Sequence, residues 1–212
     1  SQVLEIENLT LGYKLYYDLR NFSASRDGVN FSGNVYFVEF EPVDSTQDEY
    51  WARNRQVAYQ GSSRHLFKSI LDQRLKEEGF TLFTYQSSFN RMQRISYVPV
   101  GVEFDSLRGT YKIPMEQNTV IHYETPFAPN AVLVSHMHVA DGYVEVDING
   151  VVLDPLSVVL TRGHMSESRV ADFLPTDYEP IKRLDWTKDT PVGTIHLKGA
   201  KGLSRNDNSA TL

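Results

Sequence analysis

The chain contains no cysteine, which excludes disulfides, thiol nucleophiles and Cys-ligated zinc at the outset. Positive charge is scarce: 21 Lys and Arg stand against 27 Asp and Glu, for a net charge of −6. Phosphate neutralisation needs clustered cations, so no nucleic-acid partner is expected. Arg53, Arg55, Arg64 and Lys68 come nearest to a local basic patch. Long apolar runs are also missing, and none approaches the roughly 18–20 residues that span a bilayer. No transmembrane helix is therefore expected. No signal peptide is visible, so Ser1 is expected to follow a cleavage or to lie within a longer precursor.

What is present is ordinary for a soluble globular protein. The 212 residues, 41% apolar and 23% charged, are enough to bury a sizeable core. Twelve Tyr and 11 Phe suit half-buried strands. Aromatic-rich sheets also hold sugars, but packing is the commoner reason for such a content.

Residues 3–20 alternate best in their second half, with Leu11, Tyr13, Leu15 and Tyr17 on one side. A turn around Ser25–Gly28 leads to a second strand ending at Pro42, which predicts a hairpin, and Gly33 within it marks a bulge or a close backbone approach. Ser45 and Thr46, each with an acid three residues on, are capping-box candidates for the chain's only long helical segment. Tyr50, Trp51, Val57, Ala58 and Tyr59 supply its first apolar side; Gly61-Ser62-Ser63 breaks it, with either serine available as a new N-cap. Leu66, Phe67, Ile70, Leu71 and Leu75 form a stripe at 3.6 spacing, Asp72 and Lys76 an ion pair, and Gly79 a terminal glycine. Strands dominate thereafter, with Asn149-Gly150 as the strongest hairpin signal, a short helix over 166–173, and a polar tail. The pattern reads as α+β: mostly antiparallel β-sheet with a kinked or broken helical segment, about 46–79, packed on one face. One domain over 1–198 is expected, divisible into a hairpin-and-helix half, 1–90, and a β-rich half, 91–198, before a flexible tail, 199–212.

In the helical stretch, Trp51, Asn54-Arg55, Ala58-Tyr59, Gly61-Ser62, His65-Leu66-Phe67 and Ser69-Ile70 form a distinctive series. It resembles the W-x-x-N-R-x-x-A-Y-x-G-S-x-x-H-F-x-R-S signature of a family of Bacteroidetes cell-envelope proteins with an N-terminal carboxypeptidase-regulatory-like domain. Leu11-Gly12-Tyr13-Lys14-Leu15 resembles that family's L-G-Y-K-I strand, and Gly163 through Tyr178 resembles its G-Y-x-S-x-x-R-V-A-D-L-L-P-x-D-Y ending, with His164 where an aromatic is expected. The regulatory-like sandwich itself is absent from this chain. The resemblance implies export to the periplasm or outer membrane, and no enzymatic activity or cofactor. On it rests the expectation of a non-catalytic envelope module that binds a protein, or alternatively a glycan, or builds an outer-membrane or periplasmic assembly.

Four residues are candidates for a partner-binding face: Trp51, Asn54, Arg55 and Tyr59, at i, i+3, i+4 and i+8. The competing reading makes the aromatics core and has Asn54 and Arg55 hydrogen-bond neighbouring loops, as amphipathic helices commonly do. The alternative to a binding module is a metal-dependent hydrolase: His136 and His138 share a strand face, Asp141 follows three residues on, and His122, His164 or Asp141 would be the third ligand. Ser62, Ser63 and His65 lack a nucleophile-elbow context and are better explained by capping. Asp141, Asp147 and Asp154 lack the dense ligand order of a calcium loop.

Overall fold

The computed structural model describes residues 2–25, 28–88, 91–128, 130–168 and 172–180. The tail expected over 199–212 lies outside these residues. The architecture is α+β, as expected, and is built from three antiparallel sheets and two helices. Strands β1 (Gln2–Asn8), β2 (Tyr13–Ser25) and β3 (Gly28–Glu39) form a meander in which β2 is central. The expected hairpin is β2–β3. The first segment is not one strand but two, because the chain reverses at residues 9–12. The bulge falls at Arg20, which is skipped between the pairs Leu19–Gly33 and Asn21–Ser32. A Cβ on Gly33 would lie 2.2 Å from the Asp18 carbonyl oxygen, so only glycine lets the strands close there.

Helix α1 (Ser45–Tyr59) is capped by neither Ser45 nor Thr46. Asp44 takes that role one residue earlier: its Oδ1 accepts from the Gln47 N–H, while Gln47 Oε1 accepts from the Val43 N–H. The expected apolar side is only partly buried. Trp51 and Tyr59 are inside, whereas Tyr50 and Val57 face water. A short α2 (Ser63–Leu71) follows the break at Gly61, and Ser62 caps it by accepting from the His65 N–H.

The second helix ends eight residues before Gly79. Gln73 takes a left-handed φ of 57°, its N–H bonds the Ile70 carbonyl, and the Arg74 N–H reaches back to Ser69. A further turn closes at Gly79 with the same hydrogen-bond pair, Phe80 to Leu75 and Gly79 to Lys76. Because the helix has already ended, Asp72 pairs with Lys68 and not with Lys76.

A five-stranded sheet, in the order β11-β9-β8-β4-β5, carries the core. Its strands are β4 (Phe80–Ser88), β5 (Arg91–Tyr97), β8 (Asn118–Glu124), β9 (Val132–Val139) and β11 (Val158–Gly163). A smaller sheet joins β6 (Glu103–Asp105), β7 (Thr110–Pro114) and β10 (Tyr143–Val146). Leu66, Phe67, Ile70 and Leu75 pack with Leu82, Ile121 and Met137 of the large sheet and Ile113 and Val144 of the small one. The inner face of the five-stranded sheet is thus covered. Strands β4 and β5 lie either side of residue 90 and are neighbours in this one sheet.

Asn149-Gly150 makes a tight turn closed by a single bridge, Val146 to Val152. Its glycine serves packing: a Cβ there would sit 2.6 Å from the Lys68 backbone nitrogen, so α2 rests directly on the turn. In place of the helix expected over 166–173, the described residues form a 3-10 turn at His164–Glu167 and carry 3-10 conformation again at Asp172. Residues 169–171 of that expectation lie outside the described ones. No helix among the described residues is long and apolar enough to cross a membrane.

Candidate functional site

The Trp-Asn-Arg face of α1 is turned toward the β1–β2 reversal. Helical spacing brings residues 51, 54 and 55 onto one side, and each donates to a successive backbone carbonyl of that turn. The Trp51 indole N–H reaches Leu9 at 2.9 Å, Asn54 Nδ2 reaches Thr10 at 2.9 Å, and Arg55 Nε reaches Leu11 at 2.7 Å. These carbonyls leave the strand pairing at the reversal, and buried carbonyls need partners. Gly12, at φ +73°, lets the chain turn beneath the indole; a Cβ there would sit 2.4 Å from the Trp51 ring. Asn8 closes the turn from the other side, its Oδ1 accepting from the Thr10 and Leu11 N–H groups.

The expected binding face is therefore largely spent inside the molecule. Trp51 and Tyr59 are each 4% exposed. Tyr59 packs against His65 and Tyr178, with centroids 4.9 and 5.9 Å apart. Asn54 and Arg55 stay partly exposed, and Arg55 borders a cleft. Its guanidinium covers the Tyr13 ring at 4.0 Å and pairs with Glu39, while Nη2 is buried without a hydrogen-bond partner. Above it opens a cleft of about 490 Å³ bounded by Tyr13, Phe37 and Glu39 from β2–β3, Ala52 from α1, and Pro175, Asp177, Tyr178 and Glu179. Burial raises the Tyr13 hydroxyl pKa against the opposing pull of Arg55, and burial pushes Tyr178 up to about 12. Both phenols stay protonated near neutral pH, so they serve as hydrogen-bonding and stacking surfaces, not bases.

At the α1–α2 corner, the His65 ring is clasped by Tyr59, Phe80 and Tyr123. Its Nδ1 accepts from the Gly61 N–H at 3.1 Å, and Nε2 faces Glu78 at 3.4 Å. An accepting Nδ1 requires the proton on Nε2, so the imidazole is neutral and donates to Glu78. Burial lowers its pKa against the opposing Glu78 carboxylate. With Nδ1 taken and Ser62 Oγ serving as helix cap, no base is presented to a serine nucleophile here.

The metal candidates do not converge. His136 and His138 lie on the outer face of β9, since Ser135, Met137 and Val139 are buried toward the core. His138 Nδ1 meets Asn118 Oδ1 at 3.0 Å, and Asp141 falls in the bend after β9. Among the described residues, no group of three His, Cys, Asp or Glu is arranged to hold a metal ion. Asp147 and Asp154 are turn formers: Asp147 Oδ1 accepts from Asn149 and Val151, and Asp154 Oδ1 from Leu156.

One residue central to this region has no signal in the sequence beyond its charge. Arg64 donates to the carbonyls of Pro175 (2.6 Å), Thr176 (2.7 Å), Tyr178 (2.8 Å) and Asn149 (3.3 Å), strapping residues 175–178 across the helices. Its acceptors are backbone atoms, which leave no mark on side-chain identity. Phe37 and Ala52 of the cleft were likewise illegible, being ordinary residues of a strand and a helix. Comparison with protein-family models, with curated proteins and with solved structures finds no match to this chain.

Proposed function

We propose that this chain is a non-catalytic cell-envelope module, a binding or structural subunit of a periplasmic or outer-membrane assembly, which receives a protein partner at the cleft beside α1. The observation that carries the reading is Arg55: one nitrogen is buried unpaired under a cleft walled by Tyr13, Phe37 and Tyr178. Unsatisfied buried donors are rare, and a partner's carbonyl oxygen in the cleft would satisfy this one once the guanidinium turns toward it. The charge of Arg55 is already matched by Glu39, and Asp177 and Glu179 stand nearby. A neutral acceptor such as a peptide carbonyl therefore fits better than an anion. Strand β3 is an edge of its sheet and borders the cleft, which suits an extended polypeptide. The envelope location rests on the resemblance carried by the Trp51–Ile70 series, and glycan is the other partner class.

The test is affinity isolation of the full-length protein from its native membrane, beside an Ala52→Tyr variant that fills the cleft mouth. A partner chain should co-purify at stoichiometric level with the parent protein and be lost from an equally stable variant. Co-purification of nothing, or of the same partner with both proteins, would count against the reading.

A further inference from the structure

The outer face of the five-stranded sheet carries a pattern unlike the rest of the chain. Directly paired residues share a face, so Arg162, His136, Val120, Phe83 and Ser96 form one row from edge to edge. His122 and Thr81 lie in the next row. The Arg94 guanidinium reaches over the Phe83 ring at 4.3 Å, with Nη1 3.3 Å from His122 Nε2, and the Phe83 and His122 rings are 4.7 Å apart. In a chain with 27 carboxylates, these five strands contain one, Glu124, at the far end opposite Val132. The helices and the small sheet pack on the other face. Arg94, Arg162 and Tyr85 are exposed to solvent.

A solvated sheet face needs no such segregation of charge, and a structural role would tolerate acids there as elsewhere on this surface. Burial and Arg94 hold His122 below the usual imidazole range; burial, Arg162 and His122 do the same for His136. Burial and the neighbouring cations thus keep each imidazole uncharged near neutral pH, and an anion placed beside it would favour the protonated form. At about 4.8 Å per strand step, the Arg94 and Arg162 strands stand roughly 19 Å apart.

We propose that this face binds an acidic polysaccharide, whose carboxylate or sulfate groups pair with Arg94 and Arg162 while its sugar rings lie along the strip between them, beside His122 and His136. Two guanidinium groups at either side of a strip carrying two imidazoles suit a repeating linear anion. Nucleic acid is disfavoured by the overall charge of −6. The choice of a glycan rests on the reading of the chain as a binding module, but the surface is separate from the cleft. Loss of glycan binding therefore leaves partner capture at the cleft untouched, and the converse holds.

The test uses polygalacturonate and heparin as probes, with neutral dextran and single-stranded DNA beside them, by calorimetry at low salt at pH 7.5 and 5.5. At least one acidic polysaccharide should bind, more tightly at the lower pH. A double variant, Arg94→Gln with Arg162→Gln, should weaken binding about tenfold or more, as expected for lost charge-assisted contacts. Ser96→Glu, which adds a carboxylate to the same row without removing a contact, should weaken it too. A double variant, His122→Gln with His136→Gln, should reduce the pH dependence; Arg162, Arg94 and each other are the charged groups nearest these rings, with His138 and Glu124 further along the same face. The proposal is overturned if neither polysaccharide binds, if dextran binds equally, if DNA binds more tightly than both, or if the arginine double variant and Ser96→Glu both bind as the parent does.

Discussion

Trp51 illustrates how a residue that looks made for recognition can be spent on architecture. Its ring covers Gly12 and its N–H is bound to the Leu9 carbonyl, so both faces of its chemistry are already in use. Gly12 is the most exposed point of this arrangement to mutation. Gly12→Ala forces a β-carbon into the indole and into a left-handed backbone. Left-handed strain and overpacking together should cost roughly 2–4 kcal/mol. Denaturant unfolding should show a lower midpoint at unchanged slope. In a Trp51→Ala background the penalty should shrink, since the clash term is gone while the strain remains; strict additivity would show that the two residues do not interact.

At the scale of elements, the helical pair works as a hub fastened by side-chain donors. From α1, three residues hold the β1–β2 reversal; from α2, Arg64 holds residues 175–178 and the Asn149 turn. This explains why α1 keeps Tyr50 and Val57 in water: directed bonds to carbonyls dock it, and a broad apolar stripe is unnecessary. The second helix docks by its stripe instead, with Leu66 and Phe67 fully buried. Its two ends make opposite predictions. Ser62→Ala removes the cap that accepts from His65 and should cost about 1 kcal/mol. Gln73→Gly relieves a left-handed residue at the C-terminal closure and should raise stability by roughly 0.5–1 kcal/mol. Equilibrium unfolding of both variants checks this; a destabilised Gln73→Gly would mean that the side chain, not the backbone, matters at that position.

For the whole molecule, the buried neutral His65 sets a dependence on pH. Its folded pKa lies below the unfolded value near 6.5, because burial penalises the imidazolium more than Glu78 rewards it. The unfolded chain then binds more protons as pH falls below about 6.5, so stability is full above that value and declines beneath it until the folded pKa is passed. His122 and His136 shift in the same direction from a more open face. The melting temperature should therefore drop between pH 7.5 and 5. His65→Asn, whose side-chain oxygen can replace Nδ1 as acceptor for Gly61, should flatten that slope. An unchanged slope would place its origin elsewhere.

Much of this was legible in the order of residues. Apolar alternation gave β2 and the inner strands, 3.6 periodicity gave α2, and Gly61-Ser62 marked the corner between the helices, because these signals act over a few neighbouring residues. The extra strand β1, the shift of the α1 cap to Asp44 and the early end of α2 were not legible. The cap and the helix end turn on a choice between neighbouring residues, whereas the reversal that makes β1 a separate strand is held by donors some forty residues away. The fates of the candidate residues were least visible of all. Whether Trp51, Asn54 and Arg55 face a partner or a turn some forty residues away depends on which carbonyls the reversal leaves unpaired. Whether His136 and His138 find a third ligand depends on strand order. The sequence by itself determined an α+β chain without cysteine, with little positive charge and with one helical hub. Only the tertiary structure decided that the hub's polar face binds backbone, and that the arginines and histidines of four strands gather on one open face, since backbone acceptors and sheet neighbours are set by long-range packing.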